Sequence, residues 1–225
     1  MALPVWRRGA LPSFVDGSLL VVSGIGAAAA ANAARALVEA GATALTSWGM
    51  AGGLDPTLSA GTIFLPTKVI CRDGTGFPTA SDWRERLGAA VASLRPVICG
   101  KLLTSPCAIE TVASKLVAFR ETGALAVDME SLAIAEVAAT HGLPFIAVRV
   151  IVDTAQDVLP PAVISASRSG RVHIWRLIGA LALSPTDLFA LVRLANRYRA
   201  ARRSLAAVAR AGSLARLAFP TAGNS

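Results

Sequence analysis

The run from residue 126 to residue 153, AVDMESLAIAEVAATHGLPFIAVRVIVD, is the part of the chain that leaves the fewest folds open. A short apolar strand ends in a carboxylate pair, Asp128 and Glu130, at a strand–helix junction. An alanine-rich helix follows and stops at His141, Gly142 and Pro144, with glycine and proline in their usual places past a helix end. A second apolar strand, FIAVRVIV, ends on a third carboxylate, Asp153. Strand, helix and strand in succession make a crossover unit of a parallel sheet. Open α/β sheets bind ligands outside the carboxyl ends of their strands. Both acidic groups stand at such ends, so this edge is the candidate active site.

Upstream, the same grammar repeats. Residues 1–18 hold Pro4, Pro12 and Gly17 without periodicity and read as irregular. A short buried strand is expected over 19–22. SGIG at 23–26 turns it into an alanine-rich helix that Gly41 stops near residue 40. Glycines in such a loop let backbone amides at a helix N-terminus approach an anion or a ribose; a tight turn alone is the other reading of each. The string GIGAAA also fits a dinucleotide fingerprint. That fingerprint needs an acid near the end of the next strand. The next strand, expected over 43–47, runs into Ser-Trp-Gly, and no acid follows before Asp55, so the dinucleotide reading is weak.

GMAGGLDP at 49–56 comes next. Adjacent glycines at a strand end mark an unusual backbone or a close ligand approach. Further strands are expected over 62–70, broken by Pro66, and over 97–103, with a loop over 72–78 between them. Ser81 is expected to cap a helix to about residue 94, carrying Leu87, Ala90, Val91 and Leu94 at helical spacing, with Trp83 as a core anchor. Another helix runs to about residue 121, ahead of Gly123.

A chain of 225 residues fits one domain, here 19–210 with a tail over 211–225. The most apolar stretch, 19–34, contains Ser23, Gly24, Gly26 and Asn32 and falls short of the about 18–20 apolar residues of a membrane span. A signal peptide is the second reading of the N-terminus, interrupted by Asp16. The three cysteines, Cys71, Cys99 and Cys107, have no paired spacing and only His141 and His173 beside them, which argues against a metal site and for reduced thiols in the cytoplasm. The net charge of +8 is carried mostly by arginine and permits, without requiring, contact with anionic lipid or nucleic acid. Helices are expected over 172–183 and 188–210. In the second, Leu188, Leu191, Ala195 and Tyr198 share a face, Arg193 and Arg197 lie opposite, and Arg199 and Arg202 return to the apolar side. From Leu188 onward there are many arginines and no acid. A solvated or subunit-facing basic surface and a membrane-surface contact are both open readings.

SGIG at 23–26, GMAGGLDP at 49–56, AVDMES at 126–131 and VIVDTA at 150–155, in that order, resemble the purine nucleoside phosphorylase and methylthioadenosine/S-adenosylhomocysteine nucleosidase superfamily, in particular the hopanoid-associated phosphorylases of bacteria. The resemblance covers about 19–210. It implies a single α/β domain with a central mixed, largely parallel sheet flanked by helices. It implies cleavage of the N-glycosidic bond of an adenine nucleoside, as phosphorolysis of adenosylhopane in hopanoid biosynthesis. A hydrolytic nucleosidase is the alternative within enzymes, and a truncated, non-catalytic binding protein the alternative outside them. It further implies phosphate as co-substrate and no cofactor, a homo-oligomer, no nucleic-acid partner, and a cytoplasmic protein that visits the inner face of the membrane to reach a lipid-linked nucleoside.

Residue by residue, the resemblance assigns Glu130 to the ribose hydroxyls and Asp153 to protonation of purine N7. Met129 and Asp128 fall at the sugar. Ser23, Gly24, Gly49, Met50, Ala51 and Gly52 line the nucleoside and the attacking group, and Cys107 and Ile109 line the base. The chemistry is coherent: a purine leaves more readily when an acid protonates it, and an acceptor on the ribose favours the cationic sugar. Apolar Val150–Val152 should disfavour the ionised form of Asp153. Each carboxylate also has a structural reading. Asp128 is equally a helix N-cap, Glu130 a first-turn acid, and Asp153 a partner for Arg149. Departures are Met50 where relatives often carry Ser or Thr, Val152 where they carry Ser, and Asp128 where nucleosidases carry Glu. Relatives also begin with an extra strand that supplies a glycine and, in nucleosidases, a glutamate. Residues 1–18 offer no such strand, so the expectation is a reading frame that extends upstream or a compromised relative.

Overall fold

Nine consecutive residues of one strand, Phe145–Asp153, are all buried, and the fold is arranged around that strand. The computed structural model describes residues 18–93, 95–158 and 185–211, with side chains described to residue 158 and over 196–209. The described elements are α1 (Ala27–Glu39), β1 (Leu45–Gly53), β2 (Ile63–Ile70), β3 (Gly76–Pro78), α2 (Ser81–Val91), β4 (Val97–Thr104), α3 (Val112–Thr122), β5 (Ala124–Asp128), α4 (Ser131–Thr140), β6 (Phe145–Asp153) and α5 (Pro185–Ala211). They form a single α/β domain with a mixed sheet.

The sheet order is β3-β2-β4-β5-β1-β6, and β2 also pairs with β6. Strands β2, β4, β5, β1 and β6 therefore close into a ring, with β3 as a hairpin outside it. The longer ladders, β1–β6, β2–β4 and β4–β5, are parallel; β1–β5, β2–β3 and β2–β6 are antiparallel. Register brings Gly52 beside Asp153, Gly52 beside Val127 and Thr104 beside Asp128. The carboxyl ends of β1, β4, β5 and β6 thus meet at one place.

The period of two along β6 sorts its side chains. Ile146, Val148, Val150 and Val152 join Ile63 and Leu65 of β2, Trp83, Leu87 and Val91 of α2, and Ala201, Leu205 and Val208 of α5 in one apolar cluster. Phe145, Ala147 and Ile151 face the other way, with Leu45, Phe64, Leu102 and Ala126 from the other ring strands, Ala34 of α1, and Ala135 and Ala138 of α4. Arg149 and Asp153 share this second face by alternation. Burial on both faces explains the nearly unbroken apolar sequence of β6.

Several expected boundaries shift. The segment 19–22 is no strand: Leu19 forms a lone bridge. Strand β1 runs on through WGMAGG to Gly53, because β6 and β5 supply its ladder where local propensity is poor. Pro66 does not break β2; an irregularity in register between Pro66 and Lys68 absorbs the missing donor. The expected loop 72–78 contains β3. Ser81 does not cap α2, whose N-cap is Ala80 with no side-chain hydrogen bond. Helix α1 ends as expected, at Glu39, ahead of Gly41 at φ +89°. In α5, Tyr198 and Arg202 are exposed, not apolar-facing, and Arg197 reaches back to Asp157. The expected helix 172–183, the tail 212–225 and the question of a first strand within 1–17 lie outside the described residues.

Candidate active site

Two carboxylates meet two glycine backbones at the convergent strand ends. The first is Glu130, half-buried in the turn between β5 and α4. The Gly26 amide donates to its Oε1 at 2.9 Å, and the Met129 amide to its Oε2 at 3.2 Å. Gly26 is the N-cap of α1 at φ +96°, a conformation that favours glycine. The SGIG loop is thereby tied to AVDMES, and α1 packs on α4. An ionised carboxylate offers about four lone-pair sites. Two amides use half of them, and the remainder point to two further donors.

The second is Asp153, 8% exposed at the end of β6. A Cβ added at Gly52 would stand 3.0 Å from its Oδ2 and 3.2 Å from its Oδ1, so only glycine leaves this carboxyl its place. Its ionic partner is Lys115, fully buried on α3, with Nζ 2.5 Å from Oδ2. Lys115 belongs to the inward stripe of α3 with Ala118 and Thr122. Thr111 caps that helix by accepting from the Ser114 amide at 3.1 Å, and this sets the stripe's direction.

The expected alternative partner for Asp153, Arg149, lies elsewhere. Four residues along a strand span about 13 Å, too far for an ion pair. Arg149 instead donates through Nε and Nη2 to Asp128 Oδ2 at 2.9 and 2.7 Å. Its Nη2 also reaches Ser47 Oγ (2.6 Å) and Ser131 Oγ (2.7 Å). Asp128 accepts further from Thr104 Oγ1 at 2.7 Å and from the Ser131 amide at 3.2 Å. Its side chain has no exposed surface. Asp128 therefore anchors the turn that carries Met129 and Glu130, with its side chain covered by protein groups.

The other expected residues distribute unevenly. Ser23 donates to Gly24 O at 2.9 Å, and Gly24 stands at φ +86° beside the Glu130–Gly26 contact. A Cβ at Gly49 would meet Arg149 Nη1 at 3.3 Å, which places Gly49 over the anchoring network. Met50 packs with Trp48 on the β6 face covered by α2 and α5, whereas Ala51 lies in the cluster on the opposite face. Cys107 is exposed and its carbonyl accepts from Ser105 Oγ at 2.6 Å. Ile109 packs on Leu54, Leu103 and Val127.

After β6 the chain turns sharply. Asp157 Oδ2 accepts from Thr154 N and Thr154 Oγ1, both at 2.8 Å, and pairs with Arg197 of α5. Burial opposes ionisation of Asp157, but the Thr154 hydrogen bonds and Arg197 outweigh it and hold its carboxyl below the ordinary value. Its stabilising contribution is complete above the ordinary carboxylate value, about pH 4, and fades as pH falls through the lowered one. Asp157→Asn should lower Tm at pH 7 by roughly 2–4 °C. The gap to wild type should narrow as pH falls below about 4. A gap that stays constant with pH would rule this linkage out.

Among the described residues no group of His, Cys, Asp and Glu is placed to hold a metal ion, and no helix is long and apolar enough to cross a membrane.

Two glycine loops and two carboxylates thus share one strand edge of an α/β fold. The model of the phosphorylase superfamily matches residues 4–170, and the chain belongs to that superfamily. A search of curated protein sequences gave no match. Solved structures share the fold. The 5′-methylthioadenosine/S-adenosylhomocysteine nucleosidase of Neisseria meningitidis, in complex with methylthio-immucillin-A, is 21% identical at a TM-score of 0.63, over 88% of this chain and 80% of that one. The enzyme of S. pneumoniae with a transition-state inhibitor is 19% identical at 0.62, over 86% and 80%. That of Campylobacter jejuni is 22% identical at 0.58, over 68% and 76%.

Proposed function

We propose that this phosphorylase-superfamily enzyme cleaves the N-glycosidic bond of an adenine nucleoside. Asp153 protonates the leaving base at N7, and Glu130 holds the ribose hydroxyls. The observation that carries the reading is the pairing of each carboxylate with a glycine backbone at one convergent strand edge. Glu130 keeps two acceptor sites, which match the two hydroxyls of a ribose, and those bonds strengthen as the sugar becomes cationic. Asp153 stands beside Gly52, whose missing side chain leaves the carboxyl its place at this edge.

The finer reading is phosphorolysis of adenosylhopane, with phosphate as co-substrate, and it rests on the motif resemblance to hopanoid-associated phosphorylases. A peripheral contact with anionic membrane goes with it. Exposed Arg199, Arg202 and Arg203 on α5, opposite buried Ala201, Leu205 and Val208, support that contact. A homo-oligomer in the cytoplasm completes this reading. The second reading, hydrolysis, is favoured by the fold neighbours, which are nucleosidases.

The test is adenine release from a panel of adenosine derivatives, with and without phosphate. A phosphorylase is silent without phosphate and yields a sugar 1-phosphate or its lipid counterpart; a nucleosidase yields free sugar in either buffer. In the active condition Glu130→Gln should lower turnover by roughly two orders of magnitude with the fold retained. No adenine from any member of the panel would refute the reading.

A further inference from the structure

Lys115 is more completely engaged than a structural lysine needs to be. An ammonium has three N–H donors, and three acceptors surround this one: Asp153 Oδ2 at 2.5 Å, Thr154 O at 2.8 Å and Asp157 O at 3.0 Å. All three belong to the end of β6 and the turn after it, whereas the lysine comes from α3. Burying an ion pair brings little net stability compared with apolar residues of similar size. The arrangement instead fixes one carboxyl oxygen of Asp153 and the backbone on its far side. Both carboxyl oxygens lie against Gly52, and among the described residues no hydrogen bond engages Oδ1.

We infer that Lys115 is the positioning residue of the acid, an inference that rests on the proposed glycosidic cleavage. Lys115 holds Oδ2, so Oδ1 is the oxygen that delivers the proton. In that step the Oδ1–H bond breaks and an N7–H bond forms. The electron pair of the C1′–N9 bond passes into the purine, which leaves neutral. The attacking water or hydrogen phosphate forms the new C1′–O bond, and the proton it loses restores Asp153. Between these events Asp153 is a buried carboxylate, and the fully buried Lys115 ammonium neutralises it. Among the described residues the charged groups facing Asp153 are Lys115 from α3 and, through Thr154, the Asp157–Arg197 pair joining the turn to α5; Gly52 of β1 brings no charge.

The test compares wild type with Lys115→Met, Lys115→Gln and Lys115→Arg, following adenine release from methylthioadenosine and adenosine across pH. In Lys115→Met, kcat should fall about 10- to 100-fold, with KM within about threefold of wild type. Loss of the cation should move the basic limb of the kcat profile upward by about one pH unit or more. Lys115→Arg should recover part of the rate and return the limb toward its wild-type place. Lys115→Gln keeps donors for the two carbonyls, and should show the same displaced limb should the Met variant fail to fold. Wild-type kcat in Lys115→Met, or a reduced rate with an unmoved limb in the variants lacking the charge, would overturn the positioning role alone. A wild type that releases adenine from no nucleoside would overturn the cleavage reading, and this role with it.

Discussion

Asp153→Asn should reduce adenine release by about two orders of magnitude or more. The substitution keeps the shape and removes the transferable proton together with the charge that faces Lys115. The amide oxygen still accepts from Lys115, so the ammonium retains three acceptors and the fold survives with a lowered Tm. Circular dichroism and a melting curve would establish that the variant is folded, and single-turnover kinetics would place the loss in bond cleavage. Full turnover in folded Asp153→Asn would end the case for this residue as the acid. The comparison with Glu130→Gln is informative, because Glu130 is held by backbone amides and, among the described residues, pairs with no buried cation. Its loss should weaken substrate engagement as well as turnover, whereas the Asp153 defect should fall mainly on kcat.

The second large effect concerns stability. Asp128→Ala should destabilise the protein by about 3–5 kcal/mol, because it leaves the guanidinium of Arg149 buried without its counter-charge. For a domain of this size the shift in Tm is on the order of 10 °C. Urea melts of wild type, Asp128→Ala, Arg149→Met and the double variant form a cycle. The double variant should be more stable than Asp128→Ala alone, since no charge is then stranded. A simple sum of the two single losses would show that the residues do not interact. Activity should fall too, because Asp128 braces the turn that presents Glu130.

What the sequence disclosed follows from the range of the forces involved. Strand β6, α4 and the AVDMES turn were legible because apolar periodicity and helix-end residues are local. Gly26 and Gly52 were legible as close approaches, although only the fold reveals that one meets Glu130 and the other Asp153. Lys115 was not singled out, since its partner is far along the chain. One sign was available: it shares the inward stripe of α3 with Ala118 and Thr122, where a surface lysine would not sit. Arg149 was recognised as needing a counter-charge, but the wrong acid was offered. Asp153 is on the same face and about 13 Å along the strand, whereas Asp128 comes alongside only through the packing of β5 and α4. The extension of β1 through GMAGG was hidden for a related reason. Glycine has poor strand propensity, and the ladders on β6 and β5 override it.

The closure of the strand ring has a consequence for how the protein is made. Strand β6 lies between β1 and β2, yet it is synthesised long after both. Until it emerges, a translating chain carries two apolar strands with open edges that only a late segment can cover. Such pairings between distant parts of a chain form slowly, and uncovered edges invite association with other chains. Synthesis should therefore be the vulnerable stage. Slowed translation ahead of Phe145 should raise the share of aggregated product and the demand for chaperones, with no change in the melting temperature of the finished protein.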